Sequence, residues 1–164
     1  MNIILFGFKG SGKTYLGKRF SASLNCPFID TDELIEEMYG KKINTCEIYK
    51  IVGEKAFRDL ERSAILSLPL SPPSVIALGG GAVCNPENVR DLQKIGKLVY
   101  LKASFETLKK RITTMPAFAT NIESLHRIYQ ERLPIYEAIP AFVLDVDLFN
   151  ERESIMRLRT IHGF

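Results

Sequence analysis

The chain has 164 residues, of which 46% are hydrophobic and 25% are charged, with 22 Lys and Arg against 19 Asp and Glu. This length is typical of one domain with an adequate core of its own, and the composition excludes disordered, collagen-like and coiled-coil proteins. The net charge of +3 is too small to indicate a nucleic-acid groove. The three cysteines cannot all pair within the chain, which argues against a disulfide framework and predicts a cytoplasmic protein.

Short apolar runs at five places predict β-strands. They are Asn2–Gly7, Pro27–Asp30, Val75–Leu78, Lys97–Leu101 and Phe142–Asp145. Four of them are apolar almost throughout, as expected for strands that helices cover on both faces. No apolar run reaches the ~18 residues of a membrane helix, and the first run has no basic region before it, so we predict neither a membrane span nor a signal peptide.

Apolar residues at helical spacing fill the segments between these strands. The stripes are Leu16, Phe20 and Leu24; Leu34, Ile35 and Met38; Ile48, Ile51 and Val52; and Ala64, Ile65 and Leu68. A terminal helix is predicted from Glu151 to His162, with Asn150 as its N-cap. Strand and helix alternation of this kind indicates a parallel sheet with crossover helices, in which ligands bind beyond the carboxyl ends of the strands.

The segment Gly7–Thr14 follows the first strand and matches the phosphate-loop pattern G-x-x-x-x-G-K-[ST]. The backbone amides of Gly10, Ser11, Gly12 and Tyr15 are expected to surround phosphate oxygens at the start of a helix. Lys13 would bring positive charge to the β- and γ-phosphates, and Thr14 would offer a hydroxyl to Mg²⁺. The pattern therefore predicts binding of a nucleoside triphosphate, ATP. Neither D-x-x-G nor N-K-x-D occurs, which disfavours a GTPase switch.

The second strand ends in two carboxylates that can face these phosphates. Asp30 and Asp32 are two residues apart, so at a strand end both point the same way. An aspartate here is equally typical of a helix N-cap, and these two interpretations stay open.

Three further signals concern a second substrate. Arg58 and Glu61 can pair across one turn of a helix, although an exposed surface pair is the default interpretation. The third strand ends in Gly79–Gly81, which is either a tight turn or a bare backbone wall against a ligand. Arg132 lies near the end of a helical segment, with Pro134 as the predicted helix stop.

Together these motifs resemble those of the shikimate kinase family. The matching patterns are the phosphate loop, D-T-D, E-I-x-x-x-x-G-E-x-x-F-R-x-x-E, L-G-G-G-A-V and R-x-P-x-Y, from Asn2 to about Tyr136. The resemblance implies an ATP-dependent phosphotransferase that acts on the 3-hydroxyl of shikimate, in aromatic amino-acid biosynthesis. It also implies an α/β three-layer sandwich with a five-stranded parallel sheet, formed by a single domain over residues 1–164 with a short lid at about 111–122.

The resemblance also implies roles for individual residues. Asp30 and Thr14 would hold Mg²⁺, and Asp32 would bind the acceptor hydroxyl and orient or take its proton. Arg58 and Arg132 would grip the shikimate carboxylate, because guanidinium groups suit planar carboxylates. Glu61 would hold Arg58 in place, and Gly79, Gly80 and Gly81 would form the wall of the acceptor pocket. Lys13, Asp32 and Arg132 are the expected catalytic residues.

The lid departs from the family pattern. Where relatives carry R-P-L-L, this chain has Met115-Pro116-Ala117-Phe118, so the lid arginine is absent. We expect another cation to replace it, either Arg111, which would also bind ATP, or Arg127, with Lys109 and Lys110 less favoured. Two other interpretations of the absent lid arginine stay open. The protein is a slow enzyme, or it is a relative that binds ATP without catalysing transfer.

The adenine-binding turn matches the family pattern poorly, and the acceptor substrate has an alternative. The adenine-binding turn expected at Asp145–Asn150 lacks the proline of the family, so the base contacts are not assigned. Another small-acceptor kinase, for gluconate or a nucleoside monophosphate, is the alternative enzyme. The expected partners are small molecules only, without nucleic acid or membrane, and the default state is a monomer.

Overall fold

The computed structural model describes residues 1–40 and 42–163, and the elements alternate as the sequence predicts. The strands are β1 (Asn2–Phe6), β2 (Phe28–Asp30), β3 (Val75–Ala77), β4 (Gly96–Lys102) and β5 (Phe142–Asp145). The helices are α1 (Lys13–Leu24), α2 (Thr31–Tyr39), α3 (Thr45–Leu66), α4 (Pro86–Ile95), α5 (Phe105–Arg111), α6 (Ile122–Ala138) and α7 (Glu151–His162), with a 3-10 turn at Ala82–Cys84. All five predicted strands are therefore confirmed, to within one residue at each end.

The five strands form one parallel sheet in the order β2-β3-β1-β4-β5. Successive β1 residues point to opposite faces, since Ile4 and Phe6 belong to one core cluster and Ile3 and Leu5 to the other. Helices α1 and α7 cover one face, and α3, α4, α5 and α6 cover the other. The predicted α/β three-layer sandwich is thus confirmed.

The register of the sheet brings three strand exits together. Asp30 of β2 pairs with Ala77 of β3, and Ala77 pairs with Leu5 of β1. The turns that follow these strands therefore leave the sheet side by side, at its carboxyl edge.

Some local predictions need correction. Pro134 does not end α6, because the helix continues to Ala138. Its ring is on the exposed face, where water can satisfy the carbonyl four residues earlier that loses its partner. Helical spacing predicts that Met38 and Ile51 belong to the apolar stripes, but their side chains are 48% and 63% exposed. The prediction that these two residues face the core is therefore wrong.

The terminal helix follows its prediction closely. Asn150 caps α7 with a reciprocal pair of hydrogen bonds to Glu153, and Leu158 is buried against the sheet. None of the helices in the described residues has the length and apolar character needed to cross a bilayer.

Candidate active site

The phosphate loop is a turn whose backbone only glycine readily adopts. Gly7, Gly10 and Gly12 have φ angles of 146°, 86° and 95°. A side chain at Gly7 would place its Cβ 2.6 Å from the Leu101 carbonyl oxygen, so the loop lies directly against the end of β4. These conformations leave the backbone free to surround an anion, as the motif predicts.

Lys13 is held inside this loop. Its ammonium donates to the carbonyl oxygens of Gly7 and Phe8, both at 2.9 Å. Burial lowers the pKa of Lys13 to about 8, although the nearby Asp32 and Asp30 carboxylates oppose the shift. The cation is thus positioned before any ligand arrives, and a bound polyphosphate would raise its pKa again.

Asp30 combines the two roles between which the sequence could not choose. Its Oδ1 accepts from the Asp32 amide at 3.0 Å, which caps α2. Its Oδ2 accepts from the Thr14 hydroxyl at 2.8 Å. A carboxylate and a hydroxyl in contact beside the phosphate loop are oxygen donors of the kind that Mg²⁺ prefers.

Asp32 lines the same cleft as Asp30. Burial raises the pKa of Asp32 to about 6, and the neighbouring Asp30 carboxylate adds to this shift, whereas Lys13 reduces it. A carboxyl group with such a pKa is suited to proton transfer near neutral pH.

Helix α3 changes direction at Gly53, whose φ of 82° and ψ of 171° are not helical. The second part of the helix carries Arg58 and Glu61 toward the carboxyl edge of the sheet. Arg58 Nη1 donates to both Glu61 oxygens, at 3.1 and 3.0 Å, and the Glu61 side chain is only 2% exposed. The default interpretation of a solvated surface pair is therefore wrong, because this pair is largely buried.

Gly79–Gly81 is the surface on which these groups meet. A Cβ at Gly79 would lie 2.8 Å from Asp32 Oδ1, and one at Gly81 would lie 2.7 Å from Arg58 Nη2. A Cβ at Gly80 would lie 3.6 Å from Arg132 Nη1. Each glycine thus leaves room for one charged group, and the three groups are brought to a single wall.

Hydrogen bonds to neighbouring elements fix this wall. The Gly79 amide donates to the Thr31 hydroxyl at 3.0 Å, which ties the wall to the start of α2. The buried Tyr136 hydroxyl donates to the Gly80 carbonyl at 2.6 Å, which ties it to α6. Sequence analysis assigned no role to the Tyr136 hydroxyl, although the residue belongs to the R-x-P-x-Y motif.

Arg132 is a buried cation that forms no ion pair with any residue the structure describes. Its side chain is 8% exposed, and among the described residues Nη1 has no hydrogen-bond partner. The guanidinium lies over the Phe118 ring at 4.5 Å and over the Phe8 ring at 5.9 Å. A buried guanidinium nitrogen that faces the cleft unpaired is a site for an anionic group of a ligand.

The predicted site residues surround one cleft of about 470 Å³. The residues that line it include Gly10, Gly12, Lys13, Thr14, Tyr15, Asp30, Asp32, Arg58, Glu61, Gly79, Gly80, Gly81, Arg111 and Arg132. Ser11 is the exception, since it lines an adjoining cavity instead. The cleft lining also includes Lys9, Thr45, Cys46, Tyr49 and Phe57. Sequence analysis did not assign these five residues to the site, because their spacing does not distinguish them from ordinary helix and loop residues.

The adjoining cavity, of about 340 Å³, extends the cleft past the phosphate loop. Val146 and Phe149 line it on one side, within the turn that replaces the expected proline motif, and Arg111 lines it on the other. The Tyr15 hydroxyl donates to the Glu151 carboxylate, and both residues also line this cavity.

Residues 112–121, within the lid predicted at about 111–122, are irregular and pack on the core. Pro116 and Ala119 are buried, and Phe118 meets Phe8 edge to face. Met115 packs against the same apolar cluster. Of the two candidate replacement cations, Arg111 lies 3.9 Å from a Cβ position at Gly12, whereas Arg127 is exposed and outside the cleft lining.

Comparison with protein families gives one match over most of the chain. The family model described as shikimate kinase matches residues 9–161, which extends the resemblance seen in the motifs through α7. A shikimate kinase of Dictyoglomus turgidum is 38% identical over 148 residues, covering 86% of this chain and 85% of the relative. One from Clostridium botulinum is 39% identical over 163 residues, covering 96% and 93%.

Solved structures agree with the sequence relatives. A shikimate kinase from Bacteroides thetaiotaomicron has a TM-score of 0.84 at 31% identity and covers 100% of this chain and 99% of its own. One from Acinetobacter baumannii, in complex with shikimate, has a TM-score of 0.86 at 28% identity, covering 99% and 93%. A deoxyadenosine kinase from M. mycoides, at 17% identity and a TM-score of 0.57, covers 99% and 98% and shares the fold alone.

The environment of Asp32 predicts an unusual titration. In a titration of the free protein followed by carboxyl carbon NMR, the Asp32 signal is expected to move at about pH 6, because burial disfavours the charged form. Asp32→Asn, which should remove only that transition, assigns the signal. A transition of Asp32 near the ordinary pH of about 4 would contradict the described burial.

Proposed function

This chain belongs to the shikimate kinase family, and we propose on that premise that its cleft transfers the γ-phosphate of ATP to the 3-hydroxyl of shikimate. The products are shikimate 3-phosphate and ADP, and the reaction is a step of aromatic amino-acid biosynthesis. The observation that carries the assignment to this cleft is the glycine wall, because Gly79–Gly81 lies against Asp32, Arg132 and Arg58 beside the phosphate loop.

On the donor side, the phosphate loop binds ATP. The amides around Gly10, Ser11 and Gly12 receive the phosphate oxygens, and Lys13 compensates the charge that shifts toward ADP during transfer. We place the adenine in the cavity of about 340 Å³ between Arg111 and the Val146–Phe149 turn.

Transfer from ATP involves a divalent metal, and we propose Mg²⁺. The Thr14 hydroxyl and the Asp30 carboxylate are the oxygen donors in place to hold it, together with phosphate oxygens. Among the described residues, no cluster of three or more His, Cys, Asp or Glu forms a separate metal cage. When bound, the ion would neutralise charge on the β- and γ-phosphates.

On the acceptor side, two guanidinium groups flank the wall. Arg132 has an unpaired nitrogen for the shikimate carboxylate, and Arg58 is held in place by Glu61. With the carboxylate fixed there, the 3-hydroxyl would lie near Asp32, which orients it and accepts its proton. Because transfer depends mainly on positioning and charge compensation, a carboxylate of pKa about 6 is a sufficient base.

The alternatives are weaker. Gluconate and nucleoside monophosphate kinases share the phosphate loop, but the family match favours neither of them. A relative that binds without catalysis would lack charge near the transferred phosphate, whereas five cationic side chains line this cleft. We further propose that the protein acts as a monomer in the cytoplasm, where its three unpaired cysteines would stay reduced.

The first test is an acceptor panel. ADP release with ATP and Mg²⁺ is expected with shikimate and not with gluconate or nucleoside monophosphates. Asp32→Asn should nearly abolish turnover and bind ATP like the wild type. At pH values above the Asp32 pKa of about 6, the variant should also melt at a higher temperature, because folding then no longer has to bury an ionised carboxylate. Unchanged kcat in Asp32→Asn would exclude its proposed role.

A second prediction concerns the bare wall. In Gly81→Ala, the new methyl group would overlap the Arg58 guanidinium, whose flexible side chain would move away from Glu61. Calorimetry should then find the Kd for shikimate raised about tenfold or more, with ADP binding unchanged. Wild-type affinity for shikimate in this variant would mean that Arg58 does not contact it.

A third prediction separates the two lid-side arginines. Arg111→Ala should lower kcat/KM for ATP at least about tenfold, because this side chain lies beside Gly12 and the adenine cavity. Arg127→Ala is the matched comparison and should change little. Equal effects of the two substitutions would remove Arg111 from the nucleotide site.

A further inference from the structure

Two of the cations in the cleft, Lys9 and Arg111, form no hydrogen bond or ion pair with a described residue, and of these two only Lys9 lies beside the glycine wall. Five cationic side chains line the cleft within the described residues, namely Lys9, Lys13, Arg58, Arg111 and Arg132. Lys13 is bound to two carbonyl oxygens, Arg58 is paired with Glu61, and Arg132 is stacked on Phe118. The Lys9 side chain is exposed, and no described residue forms a hydrogen bond or an ion pair with its ammonium.

The backbone of Lys9 is nevertheless firmly placed. Phe8, which precedes it, is 2% exposed and packs edge to face on Phe118 and Tyr129. Gly10, which follows it, takes a left-handed turn with a φ of 86°. The conformation of the turn is therefore fixed on both sides of Lys9, while the lysine side chain itself is free to move.

This turn lies where the phosphate loop meets the glycine wall. The Lys9 amide nitrogen is 3.6 Å from a Cβ position at Gly80, and Arg132 Nη1 lies at the same distance from that position. The Lys9 ammonium is close enough to Lys13 to help lower the pKa of that residue. Lys9 therefore projects from the boundary between the donor and acceptor halves of the cleft, whereas Arg111 lies on the donor side next to the adenine cavity.

Phosphoryl transfer needs positive charge at this boundary. The transferred group carries negative charge on three equatorial oxygens, and positive charge directed at these oxygens accelerates transfer. The lid presents Met115, which is uncharged and packed on the core. A mobile ammonium on a fixed turn beside Gly80 can approach these oxygens from the glycine wall.

We propose that Lys9 is a further catalytic residue, whose ammonium contacts the γ-phosphoryl oxygens during transfer and supplies the charge that the lid does not. The inference rests on the proposed function. In the step concerned, the 3-oxygen of shikimate bonds to the γ-phosphorus as the bond to the bridging oxygen breaks. The electron pair of that bond stays on ADP, and the hydroxyl proton passes to Asp32.

Steady-state kinetics of Lys9→Met and Lys9→Arg, at saturating ATP, Mg²⁺ and shikimate, test the proposal. Methionine keeps the length of the side chain and removes its charge, whereas arginine keeps the charge. Lys55→Met is the matched control, since Lys55 is exposed on α3 and outside the cleft lining.

We expect Lys9→Met to lower kcat about 10- to 100-fold, with KM for shikimate unchanged within about twofold. This loss is somewhat smaller than the loss expected on removing a buried hydrogen-bond donor that stabilises the transition state. Lys9→Arg should stay within about threefold of the wild type, and Lys55→Met should match it. A kcat of Lys9→Met within about twofold of the wild type would overturn the proposal, as would a Lys9→Arg variant as slow as Lys9→Met. A wild type that does not phosphorylate shikimate would instead contradict the proposed function itself.

Binding of ADP with aluminium fluoride, which mimics the planar phosphoryl group, gives a second readout in the presence of shikimate. Lys9→Met should weaken this complex about tenfold or more relative to its effect on ADP alone. Equal effects on the two ligands would mean that Lys9 does not recognise the transition state, and would overturn the proposal.

Discussion

The absence of side chains at Gly79–Gly81 is the constraint on which the site depends. Asp32 and the Arg58 guanidinium approach this backbone so closely that a single methyl group would displace either one, whereas a methyl group at Gly80 would make an ordinary van der Waals contact with Arg132. These groups come from α2, α3 and α6, which no local sequence interaction holds together. The bare backbone at the end of β3 therefore makes one pocket out of three distant segments.

The electrostatics of the cleft follow from burying this many charges together. Burial lowers the pKa of Lys13 and raises those of Asp32 and Glu61, so each of these groups is less readily charged than it would be in water. Part of this cost is offset within the protein, by the contact of Glu61 with Arg58 and by the attraction between Lys13 and the carboxylates of Asp32 and Asp30. An anionic nucleotide and a carboxylate acceptor would stabilise the buried cations Lys13 and Arg132, so the cleft is suited to bind anionic ligands beside them.

The fold was largely predictable, because apolar runs and helical spacing report burial directly. The same reasoning failed where a residue's surroundings decided the outcome. Pro134 continues a helix because its face is exposed, and Glu61 is buried although its i, i+3 spacing from Arg58 is typical of a surface pair. The phosphate loop was identifiable from its motif, whereas the position of Lys9 beside Gly80 depends on how β1 and β3 pair in the sheet.

The central claim is that Gly79–Gly81 gathers the acceptor-binding groups around one molecule of shikimate. A crystal structure of the protein with ADP and shikimate tests it most directly. The account predicts the shikimate carboxylate between the guanidinium groups of Arg58 and Arg132, with the 3-hydroxyl in hydrogen-bond distance of Asp32. Shikimate bound away from the glycine wall, or with its carboxylate facing the phosphate loop, would contradict it.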